Sequence, residues 1–365
     1  MTVTDPQPSP LARYLLLAYA LLVIYASLHP FSGWRDQGVS PWAFLAGARP
    51  RYVTAFDLLT NLAAYVPLGF FATLALHPRL RGAAALVAAG LAGCALSLAL
   101  EALQTYLPSR IPSNIDLATN GVGAFAGAAL ALRFGVGLLG SGRIYALRHR
   151  WFLSGSAYDL GLVLFALWLF TQLNPETLLF ANGDLRDLLE HRPAALHPAV
   201  VFIQMEAVVA ACNLVAVGLF LSSLAQDGRP LRRLLLALLA GALVLKTLAV
   251  GVLLNAQNLF AWVTPGAIAG IAGGAAVLML AVALPRAARL ALAGLLLMAA
   301  TVLVNLTPEN PYLANALQQW PQGYFLNFNG VTHLVSLAWP FATVFYLMLL
   351  APRLARERLR PPGKL

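Results

Sequence analysis

A chain of 365 residues that is 60% hydrophobic and only 10% charged has too little polar surface to wrap a single soluble core, which excludes an ordinary soluble globular protein. The net charge of +10 raises nucleic acid as a partner, but the basic residues alternate loop by loop, a pattern that membrane topology explains and nucleic-acid binding does not. The two cysteines, Cys94 and Cys212, both lie in apolar runs, away from any metal-ligand spacing, so neither a structural disulfide nor zinc is expected.

Crossing a bilayer takes about 20 mostly apolar residues in a helix, because only there does each backbone group find a partner without water. The chain supplies about ten such runs, and the expected fold is an all-α, polytopic membrane bundle arranged as 4+4+2 helices. A polar, Pro-rich start (1–10) carries no basic residue and precedes a span at 11–28, read as an uncleaved anchor. Spans at 58–76, 83–104 and 115–132 complete a first four-helix unit (11–135), and a basic linker follows (136–157). Spans at 160–173, 199–224, 234–254 and 259–284 make a second unit (158–285). A terminal pair at 290–306 and 331–350 occupies 286–351, and 352–365 is a basic tail. The first, fifth and ninth spans are short, so snorkelling flanks or a thinned bilayer are expected there.

Loop charge sets the orientation. Arg13, Arg79, Arg81, Arg143, Arg148, Arg150, Arg229, Arg232, Arg233, Arg286, Arg289 and the tail from Arg353 to Lys364 fall on one side. The opposite loops carry Arg35, Arg49, Arg51, Arg110, Arg186 and Arg192, offset by Asp36, Glu176, Asp184, Asp187, Glu190 and Glu309. The positive-inside rule makes the first side cytoplasmic, with both termini inside and an even number of spans.

Internal similarity runs along the same frame. Leu28-His29-Pro30, Leu173-Asn174-Pro175 and Leu306-Thr307-Pro308 each end a span at the outer face. Val66-Pro67-Leu68-Gly69-Phe70-Phe71 resembles Val215-Ala216-Val217-Gly218-Leu219-Phe220, which sets Asp57 opposite Glu206, and Thr60-Asn61 matches Thr332-His333. Gly123 with Gly127, and Gly266, Gly270 and Gly274, repeat at the four-residue spacing that lets helices approach closely. The copies differ chemically: where the first has Glu101, Gln104, Arg110 and Asp116, the second offers mainly apolar residues with Asn255, Gln257 and Asn258.

The polar residues of the first unit form an ordered set: Asp57 and Asn61, then Pro67 and Gly69, then Glu101 and Gln104, then Arg110, then Asp116 and Asn120 ahead of Gly121 and Gly123. This order resembles the VanZ-like family over about residues 11–132. The family's founding member is associated with low-level resistance to the glycopeptide teicoplanin, and no molecular activity is established for the family. The resemblance implies a bacterial cell-envelope role in the inner membrane. Read without the family, Asp57 with Asn61, Glu101 with Gln104, and Asp116 with Asn120 each share a helix face. Asp57 and Asp116 open their helices, where capping is the plain alternative to a site. Glu101 closes its helix at the dipole's negative end and needs a partner, for which Arg110 is the expected one.

Pro67 shapes its helix or opens space for a head group. His29, His77, His191, His197 and His333 lack metal-ligand spacing, and neither metal nor cofactor is expected. Glu206 and Lys246 sit at equal depth inside neighbouring spans and are expected to form an intramembrane ion pair. Three functions compete. One is recognition of an envelope component, a lipid-linked glycan or glycopeptide-type antibiotic, at the outer ends of the helices. The second is a transporter or lipid flippase, and the third an intramembrane lipid head-group enzyme using Asp57, Glu101 or Asp116. Recognition is preferred, with transport second because four-helix repeats keep one orientation and give no inverted symmetry, and the enzyme third because no Ser/His/Asp order, Cys/His pair or phosphate loop supports it. Membrane lipids are the expected partners, and the sequence leaves oligomeric state open.

Overall fold

The computed structural model describes residues 9–47, 54–135, 143–186, 188–189, 198–254, 259–307 and 326–359. The expectations resting on Arg49, Arg51, Asp187, Glu190, His191, Arg192, His197, Asn255, Gln257, Asn258, Pro308, Glu309 and Lys364 lie outside these. Eight described helices are long and apolar enough to cross a membrane, and two shorter apolar helices accompany them.

The long helices are α1 (Pro10–Leu28), α2 (Ala55–Leu76), α3 (Gly82–Gln104), α4 (Asn114–Leu130), α7 (Ala199–Leu224), α8 (Leu231–Ala249), α10 (Arg286–Leu306) and α11 (Leu326–Leu359). The short apolar ones are α6 (Ser156–Thr171) and α9 (Pro265–Ala281), and α5 (Arg143–Trp151) is a basic helix within the linker. Two lengths differ from expectation. The ninth span is a full 21 residues because its helix starts at Arg286, whose side chain is held by Ala225 O and Asp227. The eighth is 17 residues, because Thr264 caps the helix from its side chain and Pro265 takes the first position.

The chain divides into two compact units, residues 1–163 and 164–365. In the first, α4 is wedged between α2 and α3. Glycine makes the approach possible: a Cβ on Gly69 would lie 1.9 Å from Ala124 O, one on Gly127 1.9 Å from Val66 O, and one on Gly123 2.3 Å from Leu62 O. The two backbones therefore touch, as in small-residue membrane packing. Helix α1 is fastened across the bundle by Tyr19, whose hydroxyl donates to Ala64 O at 2.9 Å, just before Pro67.

In the second unit α7 is the central helix, buried along most of its length and packed on α9 and α10. Again glycine lines the contact. Cβ atoms on Gly266, Gly270 and Gly274 would lie 2.8, 2.7 and 2.9 Å from Ile203 O, Ala207 O and Ala211 Cα. The irregular segment 172–186 folds inward, with Asn174, Phe180 and Asn182 buried. Its backbone is met by side chains and backbone of the helices: Gly183 N donates to Ser336 O at 2.8 Å, and Asn305 bonds both Gly183 O and Leu185 N. Non-helical backbone inside a membrane protein persists only with such partners.

Candidate functional site

The polar residues of the first unit gather where α1 and α3 end and α2 and α4 begin. Two helix starts carry the same pattern, Thr54-x-x-Asp57 and Ser113-x-x-Asp116, but they are wired differently. Thr54 and Asp57 make a complete capping box: Asp57 N donates to Thr54 Oγ1, and Thr54 N and Oγ1 donate to Asp57 Oδ2 at 3.1 and 2.7 Å. At α4, Ser113 Oγ likewise accepts from Ile115 N and Asp116 N. The Ser113 amide, however, donates to Glu101 Oε2 at 2.8 Å, so the acid that closes α3 performs from another helix the task that Asp116 would perform locally. The Asp116 side chain is left without that local bond and lies near Asn61 and Asp57 of α2.

The three carboxyl groups sense one another in sequence, Asp57 acting on Asp116 and Asp116 on Glu101. Behind them lies a buried polar layer. Asn120 Nδ2 donates to Ser97 Oγ at 3.0 Å, the Tyr65 hydroxyl lies near Ser97, and Asn120 Oδ1 is buried without a hydrogen-bond partner. An acceptor left bare in a buried layer costs about 1–3 kcal/mol.

The expected pairing of Glu101 with Arg110 is not made. Arg110 directs Nε and Nη2 at His29 O (3.0 and 2.6 Å) and Nη2 at Ala26 O (3.2 Å), while Gln104 Nε2 donates to Ser27 O at 2.9 Å. Ala26 and Ser27 belong to the last turn of α1 and His29 follows it as the cap, so these oxygens have no partner within the helix and lie at the negative end of its dipole. Partial burial lowers the Arg110 pKa, and the carbonyl cluster supplies what a carboxylate would have supplied. Gln104 and Arg110 thus hold the frame, and Asp57, Asn61, Glu101, Asp116 and Asn120 form the cluster.

The expected Glu206–Lys246 ion pair is not formed either. Lys246 is fully buried and donates to Asn174 O at 2.7 Å and Thr177 O at 2.8 Å, and Glu206 lies beside Thr264 and Gly266. Lys246 found its compensation in backbone carbonyls of the inward-folded segment, which equal depth along two helices could not reveal. Ser113, Thr54, Ser97, Tyr65 and Thr264 were missed, although the two Ser/Thr-x-x-Asp patterns are readable helix starts. Among the described residues no group of three His, Cys, Asp or Glu could hold a metal ion.

The fold defines a polytopic α-helical membrane protein, and its acidic residues cluster at one end of the first helical unit. Residues 9–135 match the VanZ/LLP1 family, a likeness that spans α1–α4 and no further. No curated protein and no solved structure matches the chain.

Proposed function

We propose that the VanZ-like unit recognises the head group of an amphiphilic envelope component at Asp57, Asn61, Glu101, Asp116 and Asn120, with a lipid-linked glycan as the preferred ligand. The observation that carries this reading is that Glu101, from another helix, takes the Ser113 amide, which leaves the Asp116 carboxyl without a bond to its own helix start and near Asn61. With Arg110 occupied at α1, the cluster is acidic and rich in acceptors, so it favours hydroxyl or ammonium groups over a bare phosphate. A glycopeptide antibiotic, which offers sugars and an amine, meets the same chemistry.

Loop charge supports an outward-facing site with both termini in the cytoplasm of a bacterial cell. The second unit reads as a degenerate copy. Gly274 meets Ala211 on α7 as Gly123 meets Leu62 on α2, and those partners occupy matching places in the two aligned motifs. Transport is the second reading, favoured by the inward-folded segment 172–186, since irregular backbone between helices is how many transporters build substrate paths.

The test uses the purified full-length protein in lipid nanodiscs and in proteoliposomes, with a fluorescent lipid-linked disaccharide and, separately, teicoplanin. Binding weakened about tenfold by Asp116→Asn, a loss of ~1.4 kcal/mol, with no transbilayer movement, supports recognition. Movement catalysed by the wild type and lost in Lys246→Met moves the function to transport. Equal binding by wild type and Asp116→Asn removes the site.

A further inference from the structure

Between α1 and α2, residues 29–47 expose an apolar surface for which neither capping nor the acidic cluster accounts. Phe31, Trp34, Val39, Trp42 and Leu45 are 41–54% exposed, and within this stretch only Arg35 and Asp36 are charged. Five large apolar side chains open to solvent within fifteen residues far exceed the scattered exposure usual at a wet surface.

The segment is also fixed in depth. Arg35 N donates to Tyr106 O at 3.0 Å and Gln37 Nε2 to Thr105 O at 2.6 Å, which ties its middle to the first residues beyond α3. Its far end is tied to the first residue of α4, where Asn114 Nδ2 donates to Gly47 O at 3.0 Å. Its near end leaves α1, whose 19 residues span about 28 Å, close to the thickness of the hydrocarbon core. The segment therefore runs across the helix ends, level with them, rather than standing away as a loop in water. At that level a bilayer presents its boundary between head groups and acyl chains, where tryptophan is most at home. The Trp34 indole nitrogen already donates to Phe31 O at 2.9 Å, so its ring can enter the boundary without stranding a donor.

We infer that residues 31–45 form an in-plane membrane element, with Phe31, Trp34, Val39, Trp42 and Leu45 seated in the head-group and acyl-chain boundary of the leaflet at the site's end. The occupant of this surface is the lipid leaflet itself, and the inference holds whatever the acidic cluster binds.

Nitroxide labels read the depth directly. In full-length protein with Cys94→Ala and Cys212→Ala, single labels replace Val39, Trp42 and Leu45, with Leu17 on the lipid-facing side of α1 and Asp227 in an exposed turn as references. All three test positions are surface sites, and two of them leave both tryptophans intact. In vesicles of phosphatidylglycerol and phosphatidylethanolamine, the ratio of oxygen to nickel-chelate collision rates at 39, 42 and 45 is expected to exceed that at 227 by about threefold or more and to fall short of that at 17. A ratio equal to that at 227 would place the segment in water and overturn the inference. Protection from both reagents at all three positions would put protein, from this chain or a second copy, over the surface and overturn it equally.

Discussion

Glu101 and Asp116 are both acids at helix ends, yet their wiring separates them. Glu101 closes α3 and holds the start of α4 through the Ser113 amide, whereas Asp116 makes no such bond to its helix start and lies near Asn61 of α2. Glu101→Ala should therefore act mainly on stability, stranding a buried amide at a cost of about 1–3 kcal/mol, seen as a lowered unfolding temperature of the purified protein. Asp116→Asn should leave that temperature nearly unchanged while weakening ligand binding. The reverse pattern would exchange their roles. Lys246 makes a second test at this scale. Its ammonium group is held by Asn174 O and Thr177 O, and Glu206 lies beside Thr264 and Gly266, so the two should not couple. Lys246→Met should lower stability by leaving two carbonyls without their donor, and the double variant with Glu206→Gln should equal the sum of the single effects within ~0.5 kcal/mol. A double variant more stable than Lys246→Met alone would reinstate the pair. The sequence made the carboxylates visible because acids are rare in apolar runs. It could not show the carbonyl partners of Arg110 and Lys246, since every residue carries a carbonyl and only the fold selects which ones face a cation.

At the scale of elements, the glycine spacing was the most informative feature of the chain. Gly123 and Gly127 predicted a close helix contact, and they meet the carbonyls of Leu62 and Val66 on α2. Position alone does not confer this role. Gly241, midway along α8, has nothing within 4 Å of where a Cβ would sit. Gly127→Ala should accordingly force α2 and α4 apart and sharply reduce the folded protein recovered from membranes, while Gly241→Ala should be neutral or slightly stabilising, by up to about 1 kcal/mol, because alanine is the better helix former. Equal recovery of the two variants would mean that α2 and α4 do not touch through these glycines. The boundaries of α9 were less legible. An apolar run continues from Leu259 to Leu284 without a break in hydropathy, and the helix instead starts at the Thr264-Pro265 cap, a signal of two residues inside a longer pattern.

For the whole molecule, the charge asymmetry of the loops makes a claim that helix packing leaves open: which face of the membrane receives the acidic site. Helices α1 to α4 alternate direction, so the turn after α3 and the basic helix α5 lie at opposite ends of the first unit. The α3–α4 turn carries Arg110, which is bonded to carbonyls, and the region of α5 carries Arg143, Arg148 and Arg150, of which Arg148 is paired with Asp159. Arg150 is exposed and adds to the positive charge that retains a loop in the cytoplasm. In a background lacking Cys94 and Cys212, a cysteine at Ser109 in the α3–α4 turn should react with a membrane-impermeant maleimide added to intact cells, and one at Arg150 should react only after the membrane is opened. Both positions are exposed, and neither side chain is part of the acidic cluster or of the α1 carbonyl clamp. Reaction at 150 and not at 109 would turn the site toward the cytoplasm. It would also remove the outer leaflet as the source of its ligand, while leaving intact the geometry that joins Glu101, Asp116 and Asn120.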